Sequence, residues 1–245
     1  MEDMIVSKCS KVHRIYVLGG RGTCCSDDPR LPGGRHPLAE GGTSSPQSST
    51  TTISQRIVVE GDAKVDVVML VYPGISCDVK LDVHLVGEGA EANIYGAYVC
   101  GGDEKVKIAV DMHHDVPHCN SRQLFKGIAG GVSKVDFYGK IIVAQDAQRT
   151  EAYQENHNIL LSDDAKIDTK PQLEIYADDV KCSHGATIGR LNEEEQFYMR
   201  SRGIPLEDAK VLQMISFLAP VIEKISDSGQ REAISQQLES AIRKL

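Results

Sequence analysis

The sequence predicts a mainly β protein that carries a small helical region at its C-terminal end. Between Gln55 and about Gly189, short segments alternate apolar with polar side chains and are bounded by Gly, Asp or Pro, which is typical of strands. Aromatic residues make up 5% of the chain and Trp is absent, so the core is expected to consist of Val, Ile, Leu and Ala. After Leu191 the apolar spacing changes to that of amphipathic helices.

Residues 1–55 are predicted to contain one strand followed by a flexible segment. The strand is the run VHRIYVLGG, which begins at Val12. The stretch after it is rich in Gly, Pro, Ser and Thr, as linkers and long loops are. The letters LGGRGT lack the G-x-x-x-x-G-K-[ST] pattern of a phosphate-binding loop, so nucleotide binding is not expected there.

Residues 56–190 are predicted to form the β body, and they contain a weak repeat. Four segments open with a small residue, then Lys or Glu, an apolar residue, and Asp or Asn; the small residues are Ala63, Ala90, Ser133 and Ala165. Their intervals of 27, 43 and 32 exclude a strict short repeat but fit stacked coils with loops of varying length. A β-helix is favoured, although a β-sandwich would give much the same strand pattern.

Residues 191–245 are predicted to form a helical domain of three helices. Asn192 is placed as the N-cap of the first helix, with Glu195 as the second half of a capping box and Gly203 as its terminator. The second helix has Pro205 near its first turn and a predicted kink at Pro220. The apolar stripe of the third helix is predicted to be Ile234, Leu238, Ala241, Ile242 and Leu245.

Composition and charge exclude several classes of protein. The formal net charge of −8 argues against a protein that binds nucleic acid through a basic face. No apolar run is long enough to span a membrane, and the first residues lack the apolar region of a secretory signal, so a cytoplasmic protein is expected. The seven cysteines form no CxxC pair, which predicts free thiols that are mostly buried.

The stretch ADDVKCSHGAT offers two potential metal ligands on one strand. Because alternate residues of a strand face the same way, Cys182 and His184 are expected to share a face. Thiolate and imidazole both bind iron or zinc, and a neighbouring imidazole can promote the thiolate form. Two ligands do not complete a site, so the others must come from elsewhere in the fold or from a partner chain. Judged from these residues alone, a packed Cys and a hydrogen-bonded His are the favoured interpretation.

A second group of potential ligands occurs in MHHDVPHCNSRQ, which contains His113, His114, His118 and Cys119. Pro117 makes a helix here improbable, and the spacing matches no familiar zinc pattern. A strand that leaves into a polar turn is therefore favoured over a metal site. If these side chains did act together, the chain could be a metal- or carbohydrate-dependent β-helix enzyme, such as a lyase.

Longer stretches resemble the SufB/SufD family of the SUF system for iron–sulfur cluster assembly. They include VPHCNSRQLFKGI and TKPQLEIYADDVKCSHGAT, and the sequence of the second motif is most similar to the SufD branch. The resemblance covers roughly residues 104–218. It implies a right-handed parallel β-helix core with a small C-terminal α-helical domain. Typical SufD-like members are longer, with an N-terminal helical domain, and residues 1–55 do not resemble the family.

The resemblance implies a scaffold that is not itself an enzyme. It would pair through its β-helix with a SufB-like subunit or with a second copy of itself. His184 would help to hold an iron–sulfur cluster that is transient and shared with the partner, with Cys182 as an adjacent thiol and no firmly bound cofactor. A SufC-like ABC ATPase would dock on the first C-terminal helix, at Glu195, Phe197, Tyr198, Arg200 and Arg202. A member that only stabilises its partner, without a cluster ligand, is the third alternative.

Overall fold

The computed structural model describes residues 2–19 and 50–245, so most of the predicted linker, with Cys24 and Cys25, lies outside the described residues. The strands of the described part are β1 Glu2–Val6, β2 Lys11–Leu18, β3 Thr51–Val59, β4 Lys64–Val71, β5 Cys77–Leu85, β6 Glu91–Cys100, β7 Lys105–His114, β8 Asn120–Ala129, β9 Lys134–Val143, β10 Glu151–Leu160, β11 Lys166–Ile175 and β12 Lys181–Gly189. The helices are α1 Glu193–Ser201, α2 Leu206–Ile222 and α3 Ser228–Ile242.

The strands form two six-stranded parallel sheets. Odd-numbered strands make sheet A in the order β1-β3-β5-β7-β9-β11, and even-numbered strands make sheet B in the order β2-β4-β6-β8-β10-β12. The chain therefore passes from one sheet to the other and back, and each circuit lays one coil on the previous one. Sandwiches are built from antiparallel sheets. The parallel pairing throughout excludes that alternative and confirms the β-helix.

The register explains the irregular intervals of the sequence repeat. The residues that pair with one another at the start of successive strands in sheet B are Lys64, Glu91, Asn120, Glu151 and Lys181. Their spacing shows that a coil takes 27 to 31 residues. Ala63 and Ala90 precede strands of sheet B, whereas Ser133 and Ala165 precede strands of sheet A. The interval of 43 therefore contains a change of sheet.

Aliphatic side chains from both sheets fill the interior of the β-helix. β5 shows how they are placed, because its inward side chains are buried and its outward ones are not. Tyr98 is a fully buried aromatic residue whose hydroxyl donates to Asn158 Oδ1. Its ring crosses Gly127, where a Cβ atom would lie 2.0 Å from Tyr98 Cε2. Glycine is therefore required at this close approach.

The cysteines follow the predicted pattern where the structure describes them. Cys77, Cys100 and Cys119 are free and buried, Cys182 is free and partly buried, and Cys9 is free and exposed. Cys119 occupies the small-residue position of its coil, since the next residue pairs with the one after Ala90. Most of these thiols therefore act as small apolar side chains of the core.

The helices cover the outer face of sheet B. α2 packs on β6 and β8, where Leu218 and Val221 join a second apolar cluster with Val99. In α3 the predicted stripe is confirmed for Leu238 and Ile242, which are buried, whereas Leu245 follows the helix and is 46% exposed. Among the described helices, none has both the length and the hydropathy that crossing a bilayer requires.

The predicted helix ends are mostly confirmed. Asn192 Oδ1 accepts hydrogen bonds from the backbone N–H groups of Glu194 and Glu195, so Asn192 is the N-cap of α1. The Glu195 carboxylate, predicted to complete a capping box, instead accepts a hydrogen bond from Gln213 Nε2 of α2. Gly203, at φ +88°, follows the end of α1. Pro220 lies within α2, which continues to Ile222.

One strand near the N-terminus was not predicted. β1 pairs with β3, and β2 pairs with β4, so residues 2–18 contain two strands that extend both sheets, where one was expected. The run EDMIV is short and contains two acidic residues, which hides its alternation. The proposed limits at residues 55 and 190 stay predictions, with β3 beginning at Thr51 and α1 at Glu193.

Candidate functional site

The last coil, formed by β11 and β12, leaves one end of the β-helix open in the part of the chain that the structure describes. β11 is paired only with β9 and β12 only with β10 among the described strands. Earlier strands bury alternate side chains, but no residue of β11 or β12 is fully buried. The coil therefore exposes side chains that would be interior anywhere else in the stack, together with two strand edges.

Cys182 and His184 lie on β12, on the face that continues the interior. They pair in register with Ala152 and Gln154, both of which are buried. The prediction that the two side chains share a face is confirmed. Their exposure differs, because Cys182 packs against the core cluster while His184 is exposed to solvent. His184 is thus the more accessible of the two potential ligands.

Polar side chains lead from the interior to His184. Gln123, Gln154 and His184 occupy one register position on β8, β10 and β12. The side-chain amide of Gln154 donates through Nε2 to Gln123 Oε1 at 3.0 Å. Gln154 Oε1 is buried and has no hydrogen-bond partner among the described residues, and the same holds for Thr169 Oγ1 on β11. This row of inward polar side chains ends at the open coil.

The Cys182 thiol is free and partly buried. Burial raises the pKa of this thiol, and His184 is not among the groups that shift it. Desolvation penalises the charged form and so disfavours the thiolate, and promotion of the thiolate by the neighbouring imidazole stays a prediction. The thiol stays protonated at neutral pH, so His184 is the better candidate for a ligand in the free chain.

The four residues of the second potential site are not brought together. His113 lies on the outer face of sheet A, whereas the next residue, His114, is fully buried and contacts Ser121 Oγ through Nε2 at 2.8 Å. His118 lies in the following turn at φ +60°, and Cys119 is buried. The interpretation as a strand that leaves into a turn is confirmed, and the four side chains do not share one site.

The predicted docking helix, α1, is exposed along its length. It has no buried residue, and Phe197 and Tyr198 are 73% and 60% exposed. The guanidinium of Arg202 lies 5.3 Å from the centre of the Tyr198 ring, and its Nη2 donates to the Tyr198 hydroxyl. A cleft of about 840 Å³ lies beside α1 and α2 and is lined by Tyr198, Met199 and Leu212, among others. Exposed aromatic side chains next to a cleft are typical of a protein interface.

The sequence interpretation missed the polar row of Gln123 and Gln154. The available signal was a polar residue at an inward position of an alternating strand, as in NSRQLFKGIA. That signal acquires meaning only when the register is known, because the two glutamines are 31 residues apart in the chain.

Comparisons with known proteins show which sequences this chain is similar to. Residues 43–217 match the family model described as "SUF system FeS cluster assembly, SufBD core domain". The chain is 47% identical to the iron-sulfur cluster assembly protein SufD of Escherichia coli over 123 residues, which are 50% of this chain and 29% of that protein. It is also 26% identical to SufD of Bacillus subtilis over 195 residues, 79% of this chain and 45% of that protein. The chain thus spans less than half the length of these relatives.

Proposed function

Since the chain belongs to the SufBD core family of the SUF system for iron–sulfur cluster assembly, we propose that it is a non-enzymatic scaffold subunit of a SUF-type assembly complex. The open last coil carries this proposal. It presents two strand edges that pair with no described strand, and a histidine at a position that is buried in the preceding coil. A surface of this kind suits pairing with another β-helix.

The partner at the last coil is a SufB-like subunit or a second copy of this chain. Apolar side chains support the pairing, since Ile175, Tyr176 and Ile188 are 40%, 62% and 45% exposed at this end. Burying them would remove apolar surface from water, and a second β-helix would also supply hydrogen-bond partners to the free strand edges.

His184 contributes half of a cluster site that the partner completes. Nascent iron–sulfur clusters are the cargo, and imidazole nitrogen and thiolate sulfur are suitable ligands for iron. The exposed His184 is placed to bind iron first. Cys182 must first lose its thiol proton, and burial raises the pKa of this thiol. Cys182 is therefore an accessory ligand, and the cluster is held transiently between the subunits.

A SufC-like ABC ATPase docks on α1, and the ATPase activity belongs to that partner. The exposed aromatic pair of Phe197 and Tyr198 would form the centre of the contact, with Arg200 and Arg202 at its rim and Glu195 tying α1 to α2. Because α1 directly follows β12, movement of the ATPase could change the geometry around His184.

The test compares His184→Ala with His157→Ala in a complex reconstituted with a SufB-like subunit and an ABC ATPase. His157 is a matched control because it lies on the neighbouring β10 but points outward, where its Nδ1 contacts Thr187 Oγ1. Anaerobic reconstitution is followed by visible absorbance of the cluster. His184→Ala is expected to reduce absorbance to background while the complex still co-purifies, and His157→Ala should assemble normally. Normal assembly by His184→Ala would leave only a partner-stabilising role.

A further inference from the structure

A group of ionisable side chains lies on the outer face of sheet A, whereas α2 packs on sheet B. Asp82 and His84 are on β5 and His113 is on β7. The two imidazole rings stack with their centres 4.2 Å apart and their planes 7° from parallel. Asp82 Oδ1 lies 3.1 Å from His84 Nε2 and 3.5 Å from His113 Nε2. Two imidazoles thus direct the same nitrogen at one carboxylate oxygen.

The other nitrogen of His84 is already engaged. Its Nδ1 lies 3.3 Å from Asp115 Oδ2, a contact that favours a proton on Nδ1. In that tautomer Nε2 carries a lone pair, which faces the Asp82 carboxylate 3.1 Å away. With the proton on Nε2 instead, the imidazole donates to Asp82. In the tautomer protonated on Nδ1, the two acceptors need a cation between them, which is either a metal ion or the Arg56 guanidinium, whose Nη2 lies 3.4 Å from Nε2. A carboxylate that orients an imidazole through its far nitrogen is the arrangement found around metal-binding histidines.

The ligand atoms have the spacing that a metal ion needs. One atom each from Asp82, His84 and His113 lie within 4.8 Å of one another. A tetrahedral zinc ion with bonds of about 2.0–2.1 Å holds its ligand atoms roughly 3.3 Å apart. The two distances to Asp82 Oδ1 bracket that value. The two rings must tilt out of their stacked arrangement before both Nε2 lone pairs can point at one ion.

We propose that Asp82, His84 and His113 bind a divalent first-row transition metal ion, such as Zn²⁺ or Fe²⁺, with Asp115 as a positioning residue for His84. Two imidazoles and one carboxylate suit such ions and leave at least one coordination position open. The site uses no residue of the last coil or of α1, so it does not rest on the proposed scaffold function.

Arg56 competes with the metal ion for these acceptors. Its Nη2 lies 3.4 Å from His84 Nε2, and its Nε lies 3.7 Å from Asp82 Oδ2. The side chain is 43% exposed, so it can turn into solvent when an ion enters. This competition can be tested through the affinity for the metal ion. Removing the Arg56 guanidinium should raise the affinity, whereas removing either imidazole should lower it.

The experiment titrates the metal-free full chain with Zn²⁺, and with Fe²⁺ under anaerobic conditions, by isothermal calorimetry. X-ray absorption of the zinc-loaded chain then identifies the ligands. We expect one saturable ion per chain with two imidazoles at about 2.0–2.1 Å from zinc. No saturable binding, or a sulfur ligand at about 2.3 Å in place of the imidazoles, would overturn the proposal.

Variants assign the site to these residues. His84→Gln together with His113→Gln should abolish saturable binding, Asp115→Asn should weaken it by about 10–100-fold, and Arg56→Gln should strengthen it. The control His157→Ala, at an outward position of β10, should bind as the unmodified chain does. Circular dichroism checks that each variant is folded, which the outward position of the substituted side chains favours. Unchanged binding in the double histidine variant would overturn the assignment.

Discussion

At the scale of single residues, burial separates side chains that the sequence places together. His113 and His114 are neighbours, yet one faces solvent beside His84 and the other is fully buried. Burial lowers the pKa of His114 to about 4, with a smaller contribution from His113. His114 is therefore neutral in the folded chain at neutral pH, and it serves packing and a contact with Ser121.

The lowered pKa of His114 predicts a pH-dependent stability. In the unfolded chain this imidazole takes up a proton below about pH 6.5, whereas in the folded chain it does so only near pH 4. Stability is therefore retained above pH 6.5 and lost as the pH falls toward 4, by about 2 kcal/mol between pH 7 and pH 5. In His114→Gln this part of the loss should disappear.

The measurement is urea unfolding of both proteins at pH 7 and pH 5. Glutamine keeps a donor that can reach Ser121 but does not titrate. The difference between the two proteins isolates His114, because their other titrating groups are the same. An equal loss of stability in both would show that His114 is protonated in the folded chain at pH 5.

At the scale of elements, α1 is a helix that the protein stabilises locally and leaves otherwise uncovered. The Asn192 cap and the contact of Glu195 with Gln213 fix its position. An N-cap of this type contributes about 1 kcal/mol. No residue of α1 is buried, so its aromatic side chains are not required by the core. Their exposure is explained if another protein covers them.

The proposed docking of an ABC ATPase on α1 can be tested by truncating the exposed aromatic side chains of this helix. Phe197→Ala combined with Tyr198→Ala should weaken binding of the ABC ATPase at least about tenfold, since buried aromatic side chains dominate many interfaces. Calorimetry of the purified pair measures the change. Thermal unfolding should stay close to that of the unmodified chain. Glu232→Ala, at an exposed position of α3, is the control. Unaltered affinity in the double variant would place the ATPase elsewhere.

At the scale of the whole molecule, the coils stack in one direction, and no described strand pairs with the outer edges of β11 and β12. Parallel sheets are usually buried, and exposed edges promote pairing with other chains. The last coil also carries side chains on its open face that are interior in the coil before it, such as His184 in line with Gln154. A partner chain at this end would continue the core.

If the chain pairs with another β-helix through its last coil, charged side chains placed on the open face of that coil should prevent the pairing. Ile175→Lys together with Ile188→Lys places two ammonium groups on the face that a partner would bury, which is unfavourable for an unpaired charge. Light scattering after size-exclusion chromatography should show that the complex of two β-helix chains is lost. The thermal unfolding temperature should change little because both isoleucines are exposed. Ile5→Lys, at an exposed position of β1, is the matched control. Persistence of the pair would move the interface away from the last coil.

The sequence by itself determined the local structure of the chain. The alternation of apolar and polar residues predicted most strands of the β body, and Asn192 predicted the start of α1. The sequence motif around His184 indicated the family. These features depend on neighbours a few residues apart, whose spacing follows from the geometry of a strand or a helix.

Only the tertiary structure decided which residues meet between coils. The alternation of a strand determines which way a side chain faces. The residue that it meets on the next coil depends on the lengths of all the turns in between, over 27 to 31 residues. That register aligns Gln154 with His184 and stacks His84 on His113, which are 29 positions apart. The open end of the stack and the group around Asp82 are consequences of register, which no local pattern specifies.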